Sequence, residues 1–243
     1  MVLLSLAGCR NEEPMGCDLA LPLAIEVPCA ASVSDLQALE RGAMQMALRE
    51  IREQGGPAAD SVRIAEANWR PYAEALAAVR TAIPQMECQD LSALLSVEPF
   101  QRVAMDELLL HVDAREPWVQ AWVNLNSMTG NPEVDALMNR YNLTVTAYYD
   151  WEAGDHVVVA SSEPLQLLPL LKKFRDIEGI VDGYENTLVG DGDDIVGLRE
   201  GNDMLIRIYD SYGDCPSGCQ HDDIWTFRVT PGCRVFYEGF HSN

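Results

Sequence analysis

The sequence predicts an α+β fold with a helical N-terminal half, a central βαββαβ module and a C-terminal antiparallel β-meander. Three observations carry this. Apolar residues recur at helical spacing from Ser34 onward. From about Trp118, period-two runs alternate with helical stretches. Beyond residue 200, three β-branched and aromatic runs are separated by turn signals.

The chain opens Met1-Val-Leu-Leu-Ser-Leu6-Ala7-Gly8-Cys9, an apolar run closed by a cysteine and followed by the polar Arg10-Asn11-Glu12-Glu13. Leu6-Ala7-Gly8-Cys9 resembles the lipobox of bacterial lipoproteins. That resemblance implies cleavage before Cys9 and lipidation of its sulfur. It also implies attachment to a membrane of the bacterial cell envelope, facing the periplasm or the cell surface. The run departs from the family pattern in one respect, because no Lys or Arg precedes it. With Cys9 taken by lipid, six of the seven cysteines remain: 17, 29, 88, 215, 219 and 233. An even set in an exported protein favours disulfides, with about 15 connectivities open. No later apolar run approaches the ~18 residues of a transmembrane helix. Residues 1–8 therefore read as a signal remnant and 9–32 as a tether. Pro14, Pro22 and Pro28 oppose helix in the tether, and Leu19 to Val27 is expected to lie on the core.

Residues 33–115 read as the helical region. Ser34 and Gln37 fit a capping box, and Leu36, Leu39, Ala43, Ala47 and Ile51 mark one face of a helix ending at Gly55-Gly56. Pro71 opens a second helix, with Tyr72, Leu76, Val79 and Ile83 inward and Pro84 as its stop. Asp90 caps a short helix through Leu95. Pro99 opens another, with Phe100, Val103, Leu108 and His111 on its inner side, where a histidine reads as a satisfied core residue.

Residues 116–187 carry the module. Val119 to Leu125 alternates as a strand, and Asn131 caps a helix from Pro132 to Tyr141. Leu143 to Tyr149 alternates as a half-buried strand, and Gly154 turns the chain into the apolar run His156–Ala160, expected to be central. A helix with Leu165, Leu168, Leu171 and Phe174 follows, limited by Pro169, and Ile180–Tyr184 closes as a strand. This order is the ferredoxin-like split βαβ arrangement. Ala136-Leu137 with Tyr141, the strand Val157-Val158-Val159, and Gly179-Ile180-Val181 leading to Asn186 also resemble the propeptide and inhibitor modules of subtilisin-like proteases. That resemblance implies an inhibitory or chaperoning role toward another chain.

Residues 188–243 read as the meander. Gly190-Asp191-Gly192-Asp193-Asp194 clusters carboxylates on a bent loop, the chemistry calcium prefers. Ile195 occupies the third acidic position of an EF-hand loop, so Asp191, Asp193 and Asp194 remain candidate cation ligands beside the simpler reading of an acidic turn. The densest stretch is Gly213-Asp214-Cys215-Pro216-Ser217-Gly218-Cys219. Pro216 and Gly218 describe a turn that brings the cysteine Cα atoms to roughly 5–6 Å, within disulfide range. Such a bond closes five residues and contributes about 2 kcal/mol, fixing local shape more than global stability. The alternatives are a metal site adding His221, Asp222 and Asp223 to the two cysteines, and a Ser217–His221 pair oriented by a carboxylate. This region, with its downstream Trp-x-Phe, resembles the C-terminal region of exported bacterial proteins of no assigned activity.

Composition narrows function. The chain has 38 acidic against 17 basic side chains, a net charge of −21 that repels phosphate backbones. Nucleic-acid partners are disfavoured, and the absence of a Walker loop and of GxGxxG speaks against nucleotides. Neither G-x-S-x-G nor HExxH occurs, and no catalytic residue and no cofactor is assigned. The expectation is an envelope-anchored lipoprotein with a structural or binding role, a membrane attachment through lipid, and a protein as its possible partner. An inhibitor or chaperone of a secreted protease is the alternative, and a metal-dependent enzyme or sensor the third reading.

Overall fold

The computed structural model describes residues 23–28, 32–86, 89–99, 103–186 and 192–243. The lipobox-like run Leu6–Cys9, Cys17, Cys29, Cys88, Phe100 and Asp191 lie outside them. Two antiparallel sheets organise the chain. One has four strands from the middle of the sequence, and the other has five drawn from both ends.

The five-stranded sheet runs β1(Leu23–Glu26), β9(Arg234–Ser242), β8(His221–Val229), β7(Asp203–Tyr212) and β6(Asp194–Glu200). β7 to β9 form the expected meander. β6, which carries Gly197 at its centre, adds a fourth consecutive strand. That glycine is required: a Cβ there would meet Tyr72 Cδ1 at 2.5 Å and Met46 Sδ at 3.1 Å. β1 lies within the segment expected to rest on the core, and it does so as a strand paired with β9.

Two helices cover one face of this sheet. α1(Val33–Gln54) is capped two residues earlier than the sequence suggested, at Ser32 instead of Ser34. Ser32 Oγ accepts from Asp35 N at 3.2 Å, and the Asp35 carboxylate accepts from Ser32 N at 3.1 Å. Ser34 lies within the first turn. α2(Glu66–Ala82) begins before Pro71, which sits inside the helix. Its first turns are tied by Arg70 to Glu66 (2.7 Å) and Glu74 (3.0 Å) at i±4. Ala43, Met46 and Ala47 of α1 and Tyr72, Leu76 and Val79 of α2 bury with Ile206, Ile208, Trp225, Phe227 and Tyr237 in one core. The short helix α3(Gln89–Ser92) continues into a 3₁₀ turn, Ala93–Ser96, whose Leu94 joins that core.

The central module is β2(Glu107–Val112), α4(Val119–Val123), α5(Pro132–Arg140), β3(Leu143–Trp151), β4(Gly154–Ser161), α6(Leu167–Arg175) and β5(Ile180–Glu185). Its sheet order is β3-β4-β2-β5, the ferredoxin-like arrangement with β4 and β2 in the centre. Two assignments change. The first strand is Glu107–Val112, where a helix containing Leu108 and His111 was expected. The run expected as that strand, Val119–Leu125, is instead a helix through Val123. Helical spacing decides the second case: Val119 and Trp122 are both fully buried, and Trp118 meets Trp122 edge-on at 5.1 Å. The alternation of small and large residues was real but not the controlling period. α5 is capped as read, Asn131 Oδ1 accepting from Glu133 N and Val134 N.

α1 holds the two sheets together. Its Met44, Leu48 and Ile51 pack with Val103 and Met105, just before β2. Alongside them runs a polar stripe at positions 41, 45, 49 and 52. Arg41 donates to Asp106 (3.1 Å), Gln45 to Val103 O (2.6 Å), Arg49 to Asp194 (2.9 and 3.0 Å) and Arg52 to Glu185 (3.0 Å). The loop after α1 clasps the module too, since Gln166 donates through its amide nitrogens to Val62 O and Ala58 O, both at 2.9 Å.

A candidate binding surface on the open face of the module sheet

Strand alternation gives the module sheet two faces. Leu108, Leu110, Val112, Val157 and Val159 bury against α4, α5 and α6 with Trp122, Met138, Leu170 and Phe174. The intervening residues point the other way. Cα register places Tyr149, His156, His111 and Asp182 side by side across β3, β4, β2 and β5, and Ala147, Val158, Leu109 and Tyr184 in the neighbouring row.

The aromatic and histidine residues of the first row, with the neighbouring Trp151, form a run of adjacent rings. Tyr149 and Trp151 lie 5.0 Å apart and nearly parallel, Trp151 and His156 are 4.7 Å apart, and His156 and His111 are 4.8 Å apart with 10° between planes. Gly154 makes this possible, because a Cβ at that position would collide with the His111 ring. His156 is 5% exposed. Its Nδ1–H donates to Gly154 O at 2.8 Å, and Nε2 faces the Tyr184 hydroxyl at 3.5 Å. Above this buried floor, Tyr149, Trp151 and Tyr184 stand 41%, 46% and 50% exposed. Asp182 closes the row, and its carboxyl is held below the ordinary range by the Gly183 amide first and then by Arg175. On the far side of the hairpin, Tyr148 donates to Asp155, and that bond pushes its phenol up to about 12.

The residues singled out in the sequence fall elsewhere. Cys215 and Cys219 form the expected disulfide, with Cα atoms 3.9 Å apart, closer than the turn alone suggested. The 3₁₀ turn Cys215–Ser217 and the positive φ of Gly218 draw them in. Both sulfurs are thus unavailable as thiolate ligands. Cys233 is also disulfide-bonded. His221 stacks on Tyr212 at 5.2 Å, Asp222 accepts from Ser211 Oγ at 2.6 Å, and Asp223 turns inward. Among the described residues no hydrogen bond joins Ser217 to His221. Asp193 accepts from Ser211 N at 2.9 Å, and both carboxylate oxygens of Asp194 are bound by Arg49. No group of three or more His, Cys, Asp or Glu side chains converges as metal ligands among the described residues.

A groove of about 620 Å³ lies between α2 and the 201–203 and 230–231 turns. Its arginines are engaged in ion pairs, Arg80 with Glu98 and Arg199 with Glu50, so the groove offers less chemistry than the open sheet face.

Sequence reasoning missed this face because His111 was placed on a helix and His156 was read as part of an apolar run. The available signal was Tyr148-Tyr149-Asp150-Trp151 directly before the Gly154 turn: three aromatics in four residues at a hairpin tip. Comparison with protein-family models, with curated proteins and with solved structures yields no match.

Proposed function

We propose that this chain is a non-catalytic binding protein of the bacterial cell envelope, held to a membrane by lipid on Cys9, and that it binds its partner through the open face of the module sheet. The observation that carries the binding role is the continuous aromatic and histidine surface of Tyr149, Trp151, His156, His111 and Tyr184. Among the described residues, three of the eight large apolar side chains that stand exposed, Tyr149, Trp151 and Tyr184, lie together on this face. Such clustering marks interaction surfaces rather than ordinary solvent-facing residues. The acidic balance of the chain favours a protein partner over nucleic acid or nucleotide. The lipobox Leu6–Cys9 supports the anchor, and no helix among the described residues is long and apolar enough to cross a membrane.

The test places a photo-crosslinking side chain at Tyr184, or at Glu133 on the helical side, in cells that make the protein. A discrete adduct in the membrane fraction from position 184 and none from 133 is expected. Equal yields from both positions, or none from either, would remove the reading. Cys9→Ala should move the protein out of the membrane fraction and abolish fatty-acid labelling.

A second reading, inhibition or chaperoning of a secreted protease, draws on the βαββαβ sheet order. Unchanged rates across a panel of secreted proteases incubated with the delipidated protein would eliminate it.

A further inference from the structure

We infer that the partner is an extended, lysine- or arginine-bearing polypeptide segment, which adds as a strand to the outer edge of β3 and lays its cationic side chains over Trp151 and Tyr149. The inference rests on the open-face reading above and specifies its occupant. Two observations on the same strand support it.

The first is the edge. β3 is nine residues long and ends its sheet, yet it contains neither Lys nor Pro, the residues that usually blunt such edges. The devices that do protect this edge lie near its start, where Ser127 Oγ accepts from Val145 N at 3.0 Å and a bulge falls between Val145 and Ala147. Beyond that, Tyr149, Asp150 and Trp151 are all exposed. The opposite edge, β5, is guarded: Arg175 donates to Gly183 O at 2.9 Å and pairs with Asp182 at 2.7 Å. An extended segment reaching β3 finds main-chain partners and, in the same approach, exposed rings.

The second is charge. Residues 143–161 hold Asp150, Glu152 and Asp155 and no Lys or Arg. Residues 103–186 hold 14 acidic against 5 basic side chains, and three of the five, Lys172, Lys173 and Arg175, sit on α6 behind the sheet. The ring faces and the hairpin carboxylates therefore select the same sign of ligand. A second copy of this chain would bring like charge to the same place.

The test uses the full chain carrying Cys9→Ala and two fluorescent ten-residue peptides, one alternating Lys and Val, the other alternating Glu and Val. The Lys/Val peptide should bind and slow hydrogen exchange of the Ala147–Trp151 amides. Trp151→Ala should weaken binding about tenfold, and Trp151→Phe should restore most of it. Replacing Asp150, Glu152 and Asp155 by their amides should flatten the salt dependence. Equal binding of the Glu/Val peptide overturns the inference. So does Lys/Val binding that leaves β3 exchange and the Trp151→Ala affinity unchanged, since that is unspecific attraction to an acidic surface. Protection of β3 that grows with protein concentration, without peptide, overturns it in favour of self-pairing. Adducts at Tyr184 without Lys/Val binding would fell this inference and leave the open-face reading standing. Absence of adducts would fell the reading itself.

Discussion

Arg49 grips Asp194 with both terminal nitrogens, at 3.0 and 2.9 Å, across 145 residues of sequence. The two side chains are only 16% and 5% exposed. The bond fixes α1 to the start of β6, next to the hydrogen bonds that fix α1 to the module.

Breaking that pair should be expensive. Arg49→Met leaves a buried carboxylate without its cation, for a loss of about 3–5 kcal/mol in urea unfolding. Arg49→Met combined with Asp194→Leu should recover most of it, because apolar groups of similar volume tolerate burial that a lone charge does not. A single variant losing under ~1 kcal/mol would show that the pair is not what joins the elements.

The Cys215–Cys219 bond should matter little to global stability. Cys215→Ser with Cys219→Ser is expected to cost about 2 kcal/mol at most, since the closed loop is so short. Melting with and without reductant measures it on the same sample. The β7–β8 pairing from Met204↔Val229 to Tyr212↔His221 is independent of the bond and should persist in the exchange pattern.

Core and surface aromatics of the module should separate cleanly. Trp122→Ala removes a fully buried ring and should cost about 3–5 kcal/mol. Tyr184→Ala, at a side chain half exposed, should stay within ~1 kcal/mol. Comparable losses in thermal unfolding would mean that the open face is a structural core.

Acid stability follows from carboxylates held low. Burial raises Asp135, but the Thr129 amide and hydroxyl and the Gly130 amide outweigh it and lower its pKa. Hydrogen bonds from Arg115 bring Asp113 down to about 2. A depressed carboxylate contributes stability that is complete above its unfolded value, roughly 4, and is lost as pH falls through the folded value. The melting temperature should therefore decline from about pH 4 toward pH 2, and Asp135→Asn should remove part of that slope. A melting curve flat across this window would contradict the assignment.

The fold was legible where a local period agreed with its environment. Leu143–Tyr149, the α5 cap at Asn131 and Ile180–Tyr184 fall where the sequence places them, and the three final strands overlap the predicted runs but extend beyond them. It was illegible where packing chose between periods, as at Trp118–Trp122, whose aromatic edge contact commits the segment to helix. The binding surface needed register. His111 and His156 are 45 positions apart, and nothing in either neighbourhood announces that two strands set them face to face. The disulfide needed only its own turn, so the sequence sufficed for it.

The pairing of β1 with β9 joins the earliest described strand to the last, with Leu23 opposite Tyr237 and Ile25 opposite Val235. The outer sheet therefore cannot close until β9, the last of the described strands, is free to pair with β1. The module, whose strands all lie between residues 107 and 185, needs no such delay. The two sheets thus differ in how far apart in the chain their partners lie, and the strand that carries Trp151 belongs to the one built from neighbouring segments.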